Sequence, residues 1–244
     1  MNFLLLEPVD VAPDGTAVLR GRAAEHVRTV LRAEVGATLR AGLVDGPLGR
    51  ATVTAMDAAA ITVATQWERS PAPATDVLLL AVPRPKVLLR MLAHAAALGF
   101  GRIVLFRSWR VDKSWLDSTA MQPAVQREHL LAGLEQAGRT RIPRVHFCPL
   151  FKPMVEDELD ALELPAARFV AHPAAATATA ALALGPGPFA LALGPDGGLL
   201  PYEVAQLHER GFLPVSCGPH ALRTETALAV LAGQLALLRE RSGV

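Results

Sequence analysis

The chain has 244 residues, of which 51% are hydrophobic and 19% are charged, and its formal net charge is +1 at pH 7. This length suits one large or two small domains, and the hydrophobic fraction excludes a mainly disordered chain. Charged residues, glycine and proline interrupt the apolar runs well before the roughly 20 residues that a membrane-spanning helix needs. The first residues lack the basic segment and the apolar length of a signal peptide, so we expect a reducing, cytoplasmic setting and no membrane partner.

Basic residues concentrate in the middle of the chain. Residues 84–152 contain 12 Lys and Arg against 4 Asp and Glu, whereas the segments on either side are near neutral or acidic. Such a concentration could neutralise the phosphates of a nucleic acid, but arginine-rich surface helices would give the same balance. Charge alone leaves both interpretations open. The two cysteines, Cys148 and Cys217, form neither a disulfide framework nor a metal-ligand spacing, so no metal is expected.

Residues 1–68 have the pattern of a β-rich unit. Short apolar runs alternate with turn residues, and one stretch with helical spacing covers residues 23–31. The polar, proline-rich segment 68–75 then has the composition of a linker. We therefore expect two domains, which cover residues 1–70 and 76–244.

After the linker, predicted strands alternate with predicted helices. The run Val77–Val82 is continuously apolar, which is typical of a strand buried on both faces, and residues 85–98 have helical spacing that ends at Gly99. This alternation predicts an α/β domain built on a parallel sheet. Further strands are predicted at 103–106, 144–147, 168–171, 189–193 and 212–216, and further helices at 123–137, 152–162, 201–209 and 224–239.

The strongest local signal is a glycine-rich loop directly after an apolar strand, GPDGG at 194–198, followed by Pro201 at a suitable first position of a helix. Loops of this kind bring backbone N–H groups and a helix N-terminus close to a ligand. A tight turn between a strand and a helix would have the same composition. The loop has no P-loop lysine and no GxGxxG pattern, which argues against the two common nucleotide-binding loops.

A second loop, SCGPHALRTET at 216–226, follows the last predicted strand. Thr224 is a candidate helix N-cap, and Glu225 is favourable in the first helical turn. Arg223 lies between a Gly-Pro loop and an apolar helix, where it could bind a carboxylate, a phosphate or a base edge. The helix that follows is apolar nearly all round, which predicts burial in the core or against another subunit.

These two loops and the upstream segment EQAGRTRIP at 135–143 resemble, in this order, the RsmE-type 16S rRNA (uracil-N3)-methyltransferases of the SPOUT class. The most specific of the motifs is LRTETA at 222–227. The segment HVRTVLRAEVG at 26–36 is similar to part of the N-terminal PUA-like barrel of that family. The family loop usually has Glu at the position of Asp196.

This resemblance implies a fold and an activity. The expected fold is an α/β protein whose C-terminal domain has a SPOUT-type trefoil-knotted parallel sheet and whose N-terminal domain is a small PUA-like, RNA-binding β-barrel. The implied cofactor is S-adenosyl-L-methionine, the implied partner is ribosomal RNA or the small ribosomal subunit, and a homodimer is expected.

The resemblance also implies roles for individual residues. Uracil N3 carries a proton and normally faces a pairing partner, so the site needs an unpaired base, a proton acceptor and a donor that stabilises negative charge. Arg223 is the candidate donor, and Glu225 and Asp196 are the candidate proton acceptors. The expected cofactor contacts are Ala171, His172, Pro173, Gly194, Pro195, Gly197, Gly198, Ser216, Cys217, Gly218, Leu222, Arg223 and Thr224. The expected RNA contacts are Arg28, Arg32, Arg84, Lys86, Arg110, Lys113 and Arg139.

Other functions fit part of the same pattern. A methyltransferase of the same fold could act on a different RNA nucleotide, and a non-catalytic ribosome-assembly factor could keep the fold for RNA binding alone. The intact GPDGG and LRTETA loops favour an enzyme, and a cofactor-binding assay distinguishes the two classes. The missing P-loop and GxGxxG patterns disfavour an unrelated nucleotide-binding α/β enzyme.

Overall fold

The computed structural model describes residues 3–242, which separate into two compact units. The first unit contains the residues up to Pro73 together with Leu131–Ile142, and the second contains Ala74–Leu130 and the residues from Pro143 onward. In the described part of the chain, every helix is too short or too polar to cross a membrane.

The segment 131–142 contributes to the first unit, although the sequence analysis assigns it to the second domain. Thr140 is 1% exposed, and its hydroxyl donates a hydrogen bond to the carbonyl of Gly46 at 2.8 Å. Arg22 donates to both carboxylate oxygens of Glu135 at 3.0 and 3.2 Å. These pairs join residues 94 and 113 positions apart, so no local pattern reveals them.

The first unit contains the strands β1 (Phe3–Leu6), β2 (Thr16–Leu19), β3 (Thr38–Leu43), β4 (Leu48–Met56) and β5 (Ile61–Arg69). They form one mixed sheet in the order β1-β3-β4-β5-β2, in which only the β1–β3 pair is parallel. The predicted helix at 23–31 is present as helix α1 (Gly21–Glu25), which continues as a π-helical turn over His26–Leu31.

The second unit contains the strands β6 (Val77–Ala81), β7 (Arg102–Phe106), β8 (Arg144–Cys148), β9 (Ala167–Ala171), β10 (Phe189–Leu193) and β11 (Leu213–Val215). Their order is β11-β9-β10-β6-β7-β8, and all of these pairs are parallel. The predicted α/β fold with a parallel sheet is confirmed. Every residue of β6 and β10 is buried, as expected for central strands covered on both faces.

The helices after α1 are α2 (Pro85–Leu98), α3 (Lys113–Leu116), α4 (Pro123–Ala137), α5 (Phe151–Pro153), α6 (Pro201–Glu209) and α7 (Thr224–Arg241). Helix α2 ends at Gly99, whose φ of 92° is the left-handed conformation that a glycine cap adopts. The helix predicted at 152–162 is wrong in form, since α5 changes into a π-helical turn at Met154–Glu158.

Helix α7 buries one face only, which includes Leu228, Leu231 and Leu235. Leu237 on another face is 56% exposed, so residues 3–242 do not bury the helix on all sides.

A partly buried ion pair connects the end of α7 to the sheet. Arg239 Nη1 donates to Asp76 Oδ1 and Oδ2 at 2.8 and 2.9 Å, and its guanidinium carbon lies 5.4 Å from the centre of the Phe189 ring. Asp76 Oδ1 also accepts a hydrogen bond from the backbone N of Phe189 at 3.1 Å. Asp76 therefore joins the start of β6, the start of β10 and the last turn of α7.

We expect Asp76→Ala to lower the free energy of unfolding by about 1.5–3 kcal/mol, because it removes charge-assisted hydrogen bonds and leaves Arg239 without its carboxylate. Urea denaturation of the purified protein measures this loss. The matched control is Lys152→Ala, which breaks an exposed ion pair with Glu156 and should change stability by less than about 0.5 kcal/mol. Equal effects of the two substitutions would contradict the assignment.

Candidate functional site

A cavity of about 390 Å³ lies where three neighbouring strands of the parallel sheet end. The register aligns Ala171 of β9 with Val215 of β11, and Val170 of β9 with Ala192 of β10, so the three strands end at one level. The loops that follow them line the cavity. All of the predicted cofactor contacts except Arg223 lie in this lining.

The loop after β10 has no room for a side chain at its first residue. A Cβ on Gly194 would lie 2.8 Å from the backbone N of Leu199 and 3.0 Å from the carbonyl carbon of Gly198. Gly198 has a φ of +72°, and its N–H donates to the carbonyl of Pro195 at 2.7 Å. The tight turn therefore requires glycine at both positions. The peptide groups of this turn line the cavity.

Backbone hydrogen bonds join the loops after β9 and β11. The N–H of His172 donates to the carbonyl of Val215, and the N–H of Ser216 donates to the carbonyl of Thr177, both at 2.9 Å. Thr179 donates twice to the carbonyl of Ser216, from its N–H at 2.9 Å and from its hydroxyl at 2.7 Å. The Ala-rich stretch at 174–184 is a loop with a 3₁₀ turn at Thr179–Ala181, and these hydrogen bonds hold it against the loop after β11.

The first two turns of α7 complete the wall through Thr224, Ala227 and Leu231, which share a helix face at spacings of three and four residues. The predicted N-cap role of Thr224 is wrong by one residue, since Arg223 is the N-cap and Thr224 begins the helix. The buried Thr224 hydroxyl needs an acceptor and donates to the carbonyl of Gly194 at 3.3 Å. Ala227 and Leu231 are absent from the sequence predictions, although this spacing could have identified them.

The candidate catalytic residues take different positions. Asp196 lines the cavity, and its Oδ2 lies 3.6 Å from Nε of Arg84. Glu225 is paired with Arg90, with 2.8 Å between Arg90 Nη2 and Glu225 Oε2, and it is not part of the cavity lining. Arg223 is exposed at the start of α7 and also lies outside that lining.

The predicted RNA contacts of the second unit are all exposed. Arg84 and Lys86 stand at the start of α2, and Arg110 and Lys113 follow β7. Arg110 also lines the cavity, and its Nη1 donates to the carbonyl of Gly197.

In the first unit, the side chains of the predicted RNA contacts differ in their hydrogen bonding and exposure. The guanidinium of Arg28 donates to the carbonyls of Asp57 and Ala60 at 2.5 and 3.3 Å, so it fastens the turn between β4 and β5. Arg32 and Arg139 are exposed. Arg32 has a φ of 50°, a left-handed conformation that ends the π-helical turn.

Glu203 accepts hydrogen bonds from two loops of the site and is absent from the sequence predictions. Its side chain is fully buried at 0% exposure. Oε1 accepts a hydrogen bond from the backbone N of Trp109 at 2.9 Å, and Oε2 accepts one from the backbone N of Leu200 at 2.7 Å. The carboxylate thus connects the loop after β7 to the loop after β10. The sequence could have identified Glu203 by its position two residues after Pro201. A glutamate at this third position of a helix commonly accepts a hydrogen bond from the backbone N–H of the N-cap residue.

Three possible metal ligands, His146, Cys148 and Glu158, meet at the β8 edge of the sheet, with donor atoms within 4.8 Å of one another. Burial raises the pKa of the Cys148 thiol to about 12, and a hydrogen bond to Glu158 adds to the shift. The thiol is therefore protonated at neutral pH, a form that binds metals poorly. The sequence spacing did not predict this group, because it depends on the packing of the π-helical turn against β8.

The family model of the RNA methyltransferase domain matches residues 70–236. The match contains every strand of the parallel sheet and all three loops that line the cavity. The chain belongs to this family.

Named relatives align with almost the whole chain. The ribosomal RNA small subunit methyltransferase E of Treponema pallidum is 28% identical over 238 residues, which is 93% of this chain and 87% of the relative. The protein of the same name from Mycobacterium tuberculosis is 28% identical over 243 residues, which is 96% of this chain and 91% of the relative.

Solved structures share the fold. The ribosomal RNA small subunit methyltransferase E of Neisseria gonorrhoeae, bound to S-adenosyl methionine, superposes with a TM-score of 0.76 at 22% identity and covers 97% of this chain and 96% of its own. A methyltransferase of Legionella pneumophila, in complex with the same cofactor, gives a TM-score of 0.74 at 24% identity over 99% and 98% of the two chains.

We expect Glu203→Gln to lower the free energy of unfolding by about 1–3 kcal/mol, because the amide replaces one acceptor oxygen and leaves a partly buried backbone N–H without its partner. Urea denaturation measures the change. The exposed Glu209→Gln on the same helix is the control, with an expected effect within about 0.5 kcal/mol. A Glu203→Gln protein as stable as the control would show that these two hydrogen bonds do not hold the loops.

Proposed function

We propose that this protein transfers the methyl group of S-adenosyl-L-methionine to N3 of a uridine in small-subunit (16S) ribosomal RNA. The observation that carries the proposal is the cavity at the ends of β9, β10 and β11, which an RNA methyltransferase domain builds from GPDGG and the LRTETA loop. Relatives that match nearly the full chain are named ribosomal RNA small subunit methyltransferase E, which supports the choice of substrate.

The cavity suits the cofactor in size and chemistry. Its volume of about 390 Å³ falls within the range of roughly 300–1,000 Å³ that small-molecule sites have. Leu222 offers exposed apolar surface for an aromatic ring, while the glycine-rich turn offers peptide groups for its polar edges. We therefore assign cofactor binding to the lining of the three loops. When bound, S-adenosylmethionine supplies an electrophilic methyl group on its sulfonium.

Residues near the cavity are assigned the two other tasks, proton acceptance and charge stabilisation. As the N3–methyl bond forms, uracil N3 must lose its proton to an acceptor. We assign the acceptor to Asp196, because Asp196 lines the cavity and Glu225 does not. Each of the two carboxylates has an arginine partner, so the assignment rests on position alone. We assign to Arg223 the stabilisation of negative charge on the uracil oxygens.

The proposed RNA contacts lie in both parts of the chain. Residues 1–70 are proposed to form a PUA-like RNA-binding barrel, and residues 76–244 the methyltransferase domain. Arg32 has an exposed side chain for phosphate binding, while the guanidinium of Arg28 already has backbone partners. In the methyltransferase domain, the exposed cations at the carboxyl edge of the sheet serve the same purpose.

A trefoil knot and a homodimer complete the proposal. Strand β11 lies beside β9 instead of β10, and Ser216 at its end pairs with the segment 177–179, an arrangement that supports a threaded chain. The exposed face of α7, which contains Leu237, supports a subunit interface. A ribosomal RNA substrate also supports a cytoplasmic location.

The direct test is transfer of labelled methyl from S-adenosylmethionine to small ribosomal subunits that lack the modification, followed by mapping of the modified base. We expect one labelled N3-methyluridine in the small-subunit RNA. Transfer to a different nucleotide would replace the substrate assignment. Cofactor binding without any transfer to ribosomal RNA would indicate another RNA, and no cofactor binding would indicate a non-catalytic RNA-binding factor.

We expect Arg223→Ala to lower kcat for methyl transfer at least about tenfold, because a charge-stabilising donor acts on the transition state. The affinity for S-adenosylmethionine, measured by calorimetry, should change little, since Arg223 lies outside the cavity lining. Arg241→Ala, an exposed arginine on the same helix, is the control and should keep full activity. Unchanged turnover of the Arg223 variant would remove this residue from the mechanism.

A further inference from the structure

Trp109 exposes 75% of its surface, although an indole gains more than most side chains from burial. The residues around it are packed, with Ser108 only 1% and Val111 only 4% exposed. The exposed indole therefore lies on a segment that is anchored by buried residues on both sides. The fold makes little use of this aromatic surface.

The backbone that carries the indole is fixed. The N–H of Trp109 donates to the carboxylate of Glu203 at 2.9 Å, and Glu203 is fully buried. The N–H of Val111 donates to the carbonyl of Ser108 at 3.1 Å, which closes a turn around Trp109. A side chain presented on a fixed turn loses little backbone freedom when it binds a partner.

The turn lies beside the cavity. Arg110, the next residue, lines the cavity and donates to the carbonyl of Gly197. A Cβ on Gly197 would lie only 3.1 Å from Cδ of Arg110, so the two loops are in direct contact. Strand β7 also ends at the same edge of the sheet as β10, with β6 between them. Trp109 is therefore one residue away from the wall of the site where the target base must react.

The charges around the turn favour RNA as its partner. Arg84, Lys86, Arg110 and Lys113 are exposed on this edge of the sheet. Cations that neutralise phosphates, next to an aromatic ring that stacks on bases, are the two elements with which proteins bind single-stranded RNA. Stacking needs no particular base, because every base has a π-face.

We propose that Trp109 stacks on an unpaired base of the RNA substrate, next to the base that enters the cavity. This inference rests on the proposed function, because it takes the cavity as the site of methyl transfer. Stacking on Trp109 holds the strand open beside the target, so that uracil N3 is free of a pairing partner. The exposed arginines and lysines hold the phosphates on either side.

The test compares Trp109→Ala and Trp109→Phe in the full-length protein. We expect the alanine variant to raise KM for the ribosomal substrate about tenfold or more, and the phenylalanine variant to keep most of the affinity because it can still stack. KM for S-adenosylmethionine should stay within about twofold for both variants. Phe147→Ala removes an exposed aromatic residue from β8 and is the matched control, with unchanged KM for RNA.

A second readout is independent of catalysis. Titration with a single-stranded oligouridylate should quench tryptophan fluorescence in the wild type, and this quenching should largely disappear in Trp109→Phe. If the wild type methylates no ribosomal RNA but this quenching occurs, the proposed substrate fails while base stacking at Trp109 stands. Unchanged KM for RNA in Trp109→Ala, or equal losses in the alanine and phenylalanine variants together with a lower melting temperature, would overturn the inference.

Discussion

The parallel pairing of β9 with its two neighbours, β10 and β11, is the constraint on which the site depends. The register brings the ends of these strands to one level, at Ala171, Leu193 and Val215. Because the chain leaves parallel strands at the same edge of the sheet, three distant stretches of sequence must meet there. The loops that follow the strands line the cavity, and the loop after β10 turns so tightly that Gly194 has no space for a Cβ beside Gly198 and Leu199.

Buried polar contacts then keep the converging loops in place. Thr224 connects the start of α7 to the loop after β10, and Glu203 connects that loop to the turn that presents Trp109. Arg110 donates a hydrogen bond to the carbonyl of Gly197 in the same loop. The same hydrogen bonds therefore hold both the cofactor side of the site and the proposed RNA side. A shift of the loop after β10 would displace both sides.

The sequence predicted most of this arrangement where a signal is local. Continuous apolar runs identified β6 and β10, Gly99 marked the end of α2, and GPDGG marked the loop that lines the cavity. Features that depend on distant contacts were missed. The hydrogen bond from Thr140 to Gly46 joins residues 94 positions apart in the sequence. The hydrogen bond from the backbone N–H of Trp109 to Glu203 spans the same number of positions. The ion pair with Arg90 that occupies Glu225 was missed for the same reason, since it joins two helices.

Calorimetric titration of S-adenosylmethionine into the wild type, Gly194→Ala and Gly185→Ala tests most directly whether these loops form the cofactor site. Gly185 is exposed and a Cβ there meets nothing within 4 Å, so its variant should bind like the wild type. At Gly194 the added Cβ would lie 2.8 Å from the backbone, and the forced loop shift should weaken binding at least about tenfold in a protein that still melts cooperatively. Equal affinity in all three proteins, or no binding by the wild type, would contradict the assignment of this cavity.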